Sequence, residues 1–157
     1  MPTPADLADA YLKGAADLRA AVAGMTREQL VARPVAGRWS TLEVVCHLAD
    51  FDPILVERMK RVVALGDTPL LLAADENLFL KELRYHDRDA AEELAVIDAT
   101  RASAARLIRG LTPEQLQLTA VHNKRGLVTL ERVIQMAVNH VAGHLPYIAE
   151  KRAALGL

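Results

Sequence analysis

The chain has 157 residues, with 19 Lys+Arg against 20 Asp+Glu for a net charge of −1. That balance gives no overall positive field of the kind that drives binding to phosphate backbones, so nucleic acid is excluded as the expected partner. The length fits one domain spanning residues 1–157 that buries a core without disulfide staples. Cys46 is the only cysteine, and Met1 to Gly14 lacks a charged stretch followed by an apolar one, which points to the cytoplasm. Hydrophobic residues reach 52%, but Asp67 and Pro69 break the longest apolar stretch, so no membrane association is expected. Alanine fills 27 positions and aromatics only 4%, a composition that favours helix over strand.

In chain order, Thr3-Pro4 reads as an N-cap followed by proline at the first helical position. It opens a helix through Leu7, Tyr11, Leu18 and Val22 that stops at Gly24. Thr26-Arg27-Glu28-Gln29 has capping-box spacing and predicts a short turn before the connection around Pro34 and Gly37. Ser40-Thr41-Leu42-Glu43 is a second capping box, and the helix it starts runs to Leu65 with Gly66 as its stop and Pro53 inside it as an expected kink.

Residues 67–86 read as a long crossover with a helical piece between Ala74 and Leu83. A third long helix spans Asp87 to Arg109 through Leu94, Ile97, Ala104, Leu107 and Ile108, ending at Gly110. Thr112-Pro113-Glu114-Gln115 repeats the cap-and-turn pattern, His122 to Gly126 reads as a loop, and a last helix covers Thr129 to Leu155. The expected fold is therefore all-α: a four-helix bundle with a long crossover between helices two and three. An internal echo pairs Met25-Thr26-Arg27-Glu28-Gln29-Leu30 with Leu111-Thr112-Pro113-Glu114-Gln115-Leu116. Thr41-Leu42-Glu43 and Thr129-Leu130-Glu131 follow them; two related halves or ordinary turn-then-cap grammar explain it equally well.

The chemistry concentrates in the histidines. His140 and His144 are four residues apart on a helix, so their side chains share a face, about 5–6 Å apart at Cβ. On the helical wheel Val133, Ala137, Val141 and Ile148 fall on that same arc, so the pair faces the interior. Two buried imidazoles with few polar neighbours in sequence either bind backbone carbonyls or buried water, or share a metal ion. His47 lies two turns into the second long helix, with Glu43 and Asp50 one turn to either side as candidate partners for its second ring nitrogen. Capping for Glu43 and solvation for Asp50 are the simpler roles. Cys46 reads as a small core thiol, His86 and His122 as exposed loop imidazoles and Trp39 as an apolar staple; Arg58, Lys60 and Arg61 could face an anionic substrate, but a solvated helix face is the simpler reading and nothing in the sequence places them near His47. Pro146 is expected to bend the last helix.

Two segments are similar to a known family. Gly37-Arg38-Trp39-Ser40-Thr41-Leu42-Glu43-Val44-Val45-Cys46-His47-Leu48-Ala49-Asp50 resembles the start of the second helix in the DinB/YfiT-like superfamily. Asn139-His140-Val141-Ala142-Gly143-His144-Leu145-Pro146-Tyr147-Ile148 resembles its last-helix His-x-x-x-His segment.

The resemblance implies a homodimer and one divalent metal ion held by His47, His140 and His144. It also implies metal-dependent hydrolysis, or S-transfer with a low-molecular-weight thiol cosubstrate, acting on a small-molecule substrate. Three imidazoles leave a coordination position open, and they suit zinc or nickel, with iron and manganese as further candidates. The His-Glu-x-x-His motif of zinc proteases is absent, so no general base is pre-placed beside the ligands. The alternative is a non-catalytic bundle that stores or senses a metal, or serves in a stress response.

Overall fold

The computed structural model describes residues 2–157. Four long helices, α1 (Pro4–Val22), α3 (Thr41–Leu65), α5 (Ala90–Arg109) and α6 (Leu130–Ala154), form the bundle; α2 (Arg27–Val31) and α4 (Glu76–Glu82) lie in the connections. Packing is between α1 or α3 and α5 or α6, so α1 and α3 stand at opposite corners, as do α5 and α6.

The helices begin where the caps demand. Thr3 accepts a hydrogen bond from the Asp6 backbone N–H at 3.2 Å, and the Asp6 carboxylate accepts from the Thr3 N–H at 2.9 Å. Ser40 and Glu43 repeat the reciprocal pair at 3.1 and 2.7 Å, which satisfies N–H groups that would otherwise be orphaned in a buried helix start. Gly66 ends α3 in the left-handed region at φ 63°, a conformation open to glycine because it lacks a Cβ. Pro53 and Pro146 both remain inside their helices.

The two halves share a plan. Thr26 caps α2 with Gln29 reaching back, and Thr112 pairs with Gln115 in the same reciprocal way ahead of a 3-10 turn at Gln115–Gln117. Each capped turn joins helices at opposite corners.

A small sheet is the departure from the expected all-helical chain. β1 (Leu70–Leu71) runs parallel to β2 (Thr119–His122), which pairs antiparallel with β3 (Gly126–Thr129). β1 belongs to the crossover and the hairpin to the α5–α6 connection, so the sheet ties the two together. The Asn123 side chain adds to the tie by accepting from the Ala73 N–H at 2.9 Å. Thr119, Val121, Val128 and Thr129 are β-branched, which suits a pleated surface.

The apolar interior falls into two clusters. One includes Tyr11, Val56, Met59, Ile108 and Val133; the other includes Leu18, Leu42, Val45, Ile97 and Ile148. Between them on each long helix lies a polar or glycine position: Gly14, Asp52, Arg101 and His140. The Arg101 Nε and Nη2 donate to the two Asp52 oxygens at 2.5 and 2.9 Å, and Nη1 donates to the Tyr11 carbonyl at 2.7 Å. Both side chains are fully buried. The guanidinium also stacks over the Tyr11 ring, 4.3 Å from its centroid, and a Cβ added at Gly14 would fall on Arg101 Nη1.

Two stability measurements test this layer. Asp52→Ala leaves the guanidinium buried without its counter-charge and is expected to cost about 3–5 kcal/mol in denaturant unfolding. Gly14→Ala, a change that normally favours a helix interior, is expected to destabilise by roughly 1–3 kcal/mol through overpacking.

Candidate metal centre

α3 and α6 pack directly against each other, and this brings His47 to His140 and His144 across 93 residues of sequence. One nitrogen from each of the three rings lies within 4.8 Å of the others. His47 Nε2 and His140 Nε2 are 2.9 Å apart, while both Nδ1 atoms are buried with no hydrogen-bond partner. The ring centroids of the three histidines are 4.8 to 5.1 Å apart.

Aromatic neighbours fix the His47 ring. Trp39 meets it edge-on with centroids 5.3 Å apart, and Phe51 lies against it at 4.4 Å. Trp39 therefore does more than staple the start of α3, because it forms one wall of the histidine cluster. Burial, reinforced by the neighbouring imidazoles, pushes the pKa of His47 down to about 3. Burial does the same for His140, with His144 and the Arg101 charge adding to it. His144 is also lowered, by burial first and then by Lys151.

Three neutral rings with convergent nitrogens fit a divalent ion. In a tetrahedral site with zinc–nitrogen bonds of about 2.0–2.1 Å, ligand nitrogens stand roughly 3.3–3.4 Å apart, inside the observed span. Without an ion, a hydrogen bond between His47 and His140 satisfies only one donor and one acceptor, so the cluster is left short of polar partners.

The remaining candidates separate cleanly. Glu43 is taken up by Ser40 and by Arg33, whose Nε donates to it at 3.1 Å, and Asp50 accepts from Arg88 Nη1 at 2.8 Å. Neither meets His47 Nδ1. Although burial opposes it, the Arg33 and Ser40 hydrogen bonds hold the Glu43 carboxyl below its ordinary pKa. Cys46 is buried and its Sγ donates to the Tyr85 carbonyl at 3.5 Å. Burial pushes its thiol up to about 12, and at 0% exposure it has no access to a substrate, in keeping with a small core thiol. His86 is exposed, with Nε2 3.3 Å from Asp87.

Two expectations are corrected. His122 is not an exposed loop residue: it ends β2, is 5% exposed, and its Nδ1 accepts from the Lys124 N–H at 3.2 Å. Arg58 is not part of a solvated face with Lys60 and Arg61: it is 8% exposed and donates to the Leu72 carbonyl. Arg61 pairs instead with Glu57 on the outside of α3, and Lys60 faces a groove between α3 and α5.

The histidines open to two cavities. One of about 610 Å³ reaches His140, and a second of about 190 Å³ reaches His144 beside Trp39 and Tyr147. Glu76, the first residue of α4, lines both, and no other carboxylate among the described residues lines either. It lies in the irregular crossover, where sequence spacing carries no signal for it.

A four-helix bundle whose second and last long helices present three convergent imidazoles defines the class. The chain belongs to the DinB superfamily, whose profile matches residues 10–148. Among curated relatives it is similar to "Putative metal-dependent hydrolase YfiT" of Bacillus subtilis, 28% identical over 142 residues that cover 90% of this chain and 79% of the relative. A relative from Oceanobacillus iheyensis with the same description is 26% identical, covering 83% of this chain and 75% of that one. The solved structure of Bacillus subtilis YfiT, described as having an unusual four-helix bundle topology, superposes with a TM-score of 0.88 at 26% identity. That match covers 96% of this chain and 86% of the other.

The lowered histidine pKa values carry a stability consequence. Unfolded imidazoles take up protons below about pH 6.5, whereas the folded His47 and His140 stay neutral until about pH 3. The unfolded state therefore binds more protons throughout that window, and stability falls as pH is lowered across it. Chemical unfolding of the metal-free protein at pH 7, 5.5 and 4.5 is expected to show a progressive loss, smaller in a His47→Gln, His140→Gln variant.

Proposed function

We propose that the protein is a metal-dependent enzyme acting on a small molecule, with His47, His140 and His144 holding one divalent ion. The reading rests on the convergence of three neutral imidazole nitrogens, with one cavity reaching His140 and another reaching His144. Zinc or nickel suits this donor set, with iron or manganese as alternatives. When bound, such an ion supplies Lewis acidity at the coordination position that three protein ligands leave open.

The chain's own residues supply the rest. Trp39 and Phe51 shield the His47 ring and keep its lone pair from bulk water. Glu76, which lines both cavities, would accept the proton of an attacking water at its carboxylate and return it to the group that leaves as the ester or amide bond breaks, the base that no sequence motif provides. This is hydrolysis, in keeping with the description of the relatives.

S-transfer with a low-molecular-weight thiol is the second reading. It is favoured by the scarcity of carboxylates in the two cavities, because a thiol with a pKa of about 8.5 needs less help to lose its proton than water does. The presence of a homodimer and a cytoplasmic location belong to the proposal as well, as the family's pattern and the single buried cysteine suggest.

His140→Ala and His144→Ala are each expected to abolish stoichiometric divalent metal in the purified protein; elemental analysis giving wild-type content in both would reject the site. Glu76→Gln is expected to keep the metal and lower ester or amide hydrolysis by about 10²-fold or more. Turnover of an electrophile with a thiol panel, unchanged by Glu76→Gln, would select S-transfer.

A further inference from the structure

The larger cavity is lopsided in charge. Arg58, Lys124, Arg125 and Arg132 line it together with His122, against the single carboxylate of Glu76. None of the four cations makes a salt bridge with a carboxylate among the described residues.

Arg58 is the telling case. As a whole residue it is 8% exposed, yet its hydrogen-bond partner is the uncharged Leu72 carbonyl rather than an acid. Glu57 acts on it only through space, with no salt bridge between them, and a largely buried charge whose donors lack a carboxylate partner is costly unless something else completes it. Arg101 shows the contrast within the same bundle, since its guanidinium is closed on both sides by Asp52.

The positive groups also converge. Burial first, then the charges of Arg58, Arg125 and Lys124, hold His122 below its ordinary pKa. That neutral ring accepts at Nδ1 from the Lys124 N–H, so its Nε2 carries the hydrogen and adds an uncharged donor to the cationic wall.

We infer that this cavity is an oxyanion subsite: Arg58, His122, Lys124 and Arg125 hold a carboxylate or phosphate group of the substrate while its reacting part lies at the His140 end. Forked guanidinium donors suit planar or tetrahedral oxyanions, and charge-assisted hydrogen bonds are the strong ones in such a pocket. The identification of this anion as part of the substrate rests on the reading of the histidines as a metal-dependent active site. The anion subsite itself uses none of the three ligands except His140 as a boundary.

The experiment is binding of succinate, succinamide and inorganic phosphate to the full-length protein by calorimetry at low ionic strength, with metal content measured on the same samples. Succinate or phosphate is expected to bind and neutral succinamide not to. Which of the two binds more tightly distinguishes a carboxylate from a phosphate substrate.

Lys124→Gln, Arg125→Gln, a double change on the exposed hairpin turn, is expected to weaken binding by about tenfold or more with metal content unchanged. His140→Ala is expected to lose the metal and keep the anion. Wild-type protein that holds metal but binds neither anion, binds succinamide equally well, or is unaffected by the double substitution would overturn the subsite and leave the metal site standing. Anion binding that follows these expectations in wild-type protein without any metal would instead sink the metal-enzyme reading and leave the oxyanion subsite in place.

Discussion

The Arg101–Asp52 pair is the constraint around which the bundle is arranged. It sits between the two apolar clusters, joins α5 to α3 through two hydrogen bonds, and reaches α1 through the Tyr11 carbonyl. A bundle packed only from apolar side chains tolerates sliding of one helix along another, whereas a buried bidentate pair is satisfied at one register. Fixing α3 and α5 at that register also fixes His47, five residues before Asp52 on the same helix. The same layer contains His140, whose pKa the Arg101 charge helps to depress. The polar layer and the histidine cluster are therefore neighbours electrostatically, although burial and then His144 do more than the Arg101 charge to keep the His140 imidazole neutral.

Electrostatics also divides the molecule's cations by function. Arg33, Arg88 and Arg101 are each matched to a carboxylate and serve structure: they close on Glu43, Asp50 and Asp52. The consequence for the histidines is that Glu43 and Asp50, one turn to either side of His47, are drawn to arginines and do not reach its Nδ1, which stays without a partner, as does Asp50 Oδ2. Arg58, Lys124, Arg125 and Arg132 are left facing a cavity instead. A net charge of −1 for the chain conceals this local imbalance, which arises only when the α3 face, the hairpin turn and the start of α6 come together.

Much of the bundle was legible because its signals are local. Reciprocal capping at Thr3, Thr26, Ser40 and Thr112 requires residues only three apart, and Gly66 ends α3 by its own backbone freedom. His140 and His144 were readable as an inward pair from their four-residue spacing together with Val133, Ala137, Val141 and Ile148 on the same arc of the helix. His47 was attached to them by family resemblance, since no periodicity relates positions 93 residues apart. The sheet was missed because its strands are two and four residues long and derive their stability from pairing between the crossover and the hairpin, which no single segment encodes. Arg101 reads as an interruption of an apolar stripe until Asp52, 49 residues away, is placed against it. Arg58 looks like its charged neighbours Lys60 and Arg61 until the crossover folds over it, and His122 looks like a turn residue until the hairpin draws it inward.

The ligands of the cluster come from different halves of the chain, His47 from the first and His140 with His144 from the second. An ion held by all three would close a covalent-like loop between halves that otherwise meet through packing, ion pairs and the small sheet, removing freedom from the unfolded chain much as a disulfide does. Unlike a disulfide, this staple would come and go with free metal concentration. The same coordination that serves chemistry would then make the resistance of the whole molecule to unfolding a gauge of how much metal its surroundings hold.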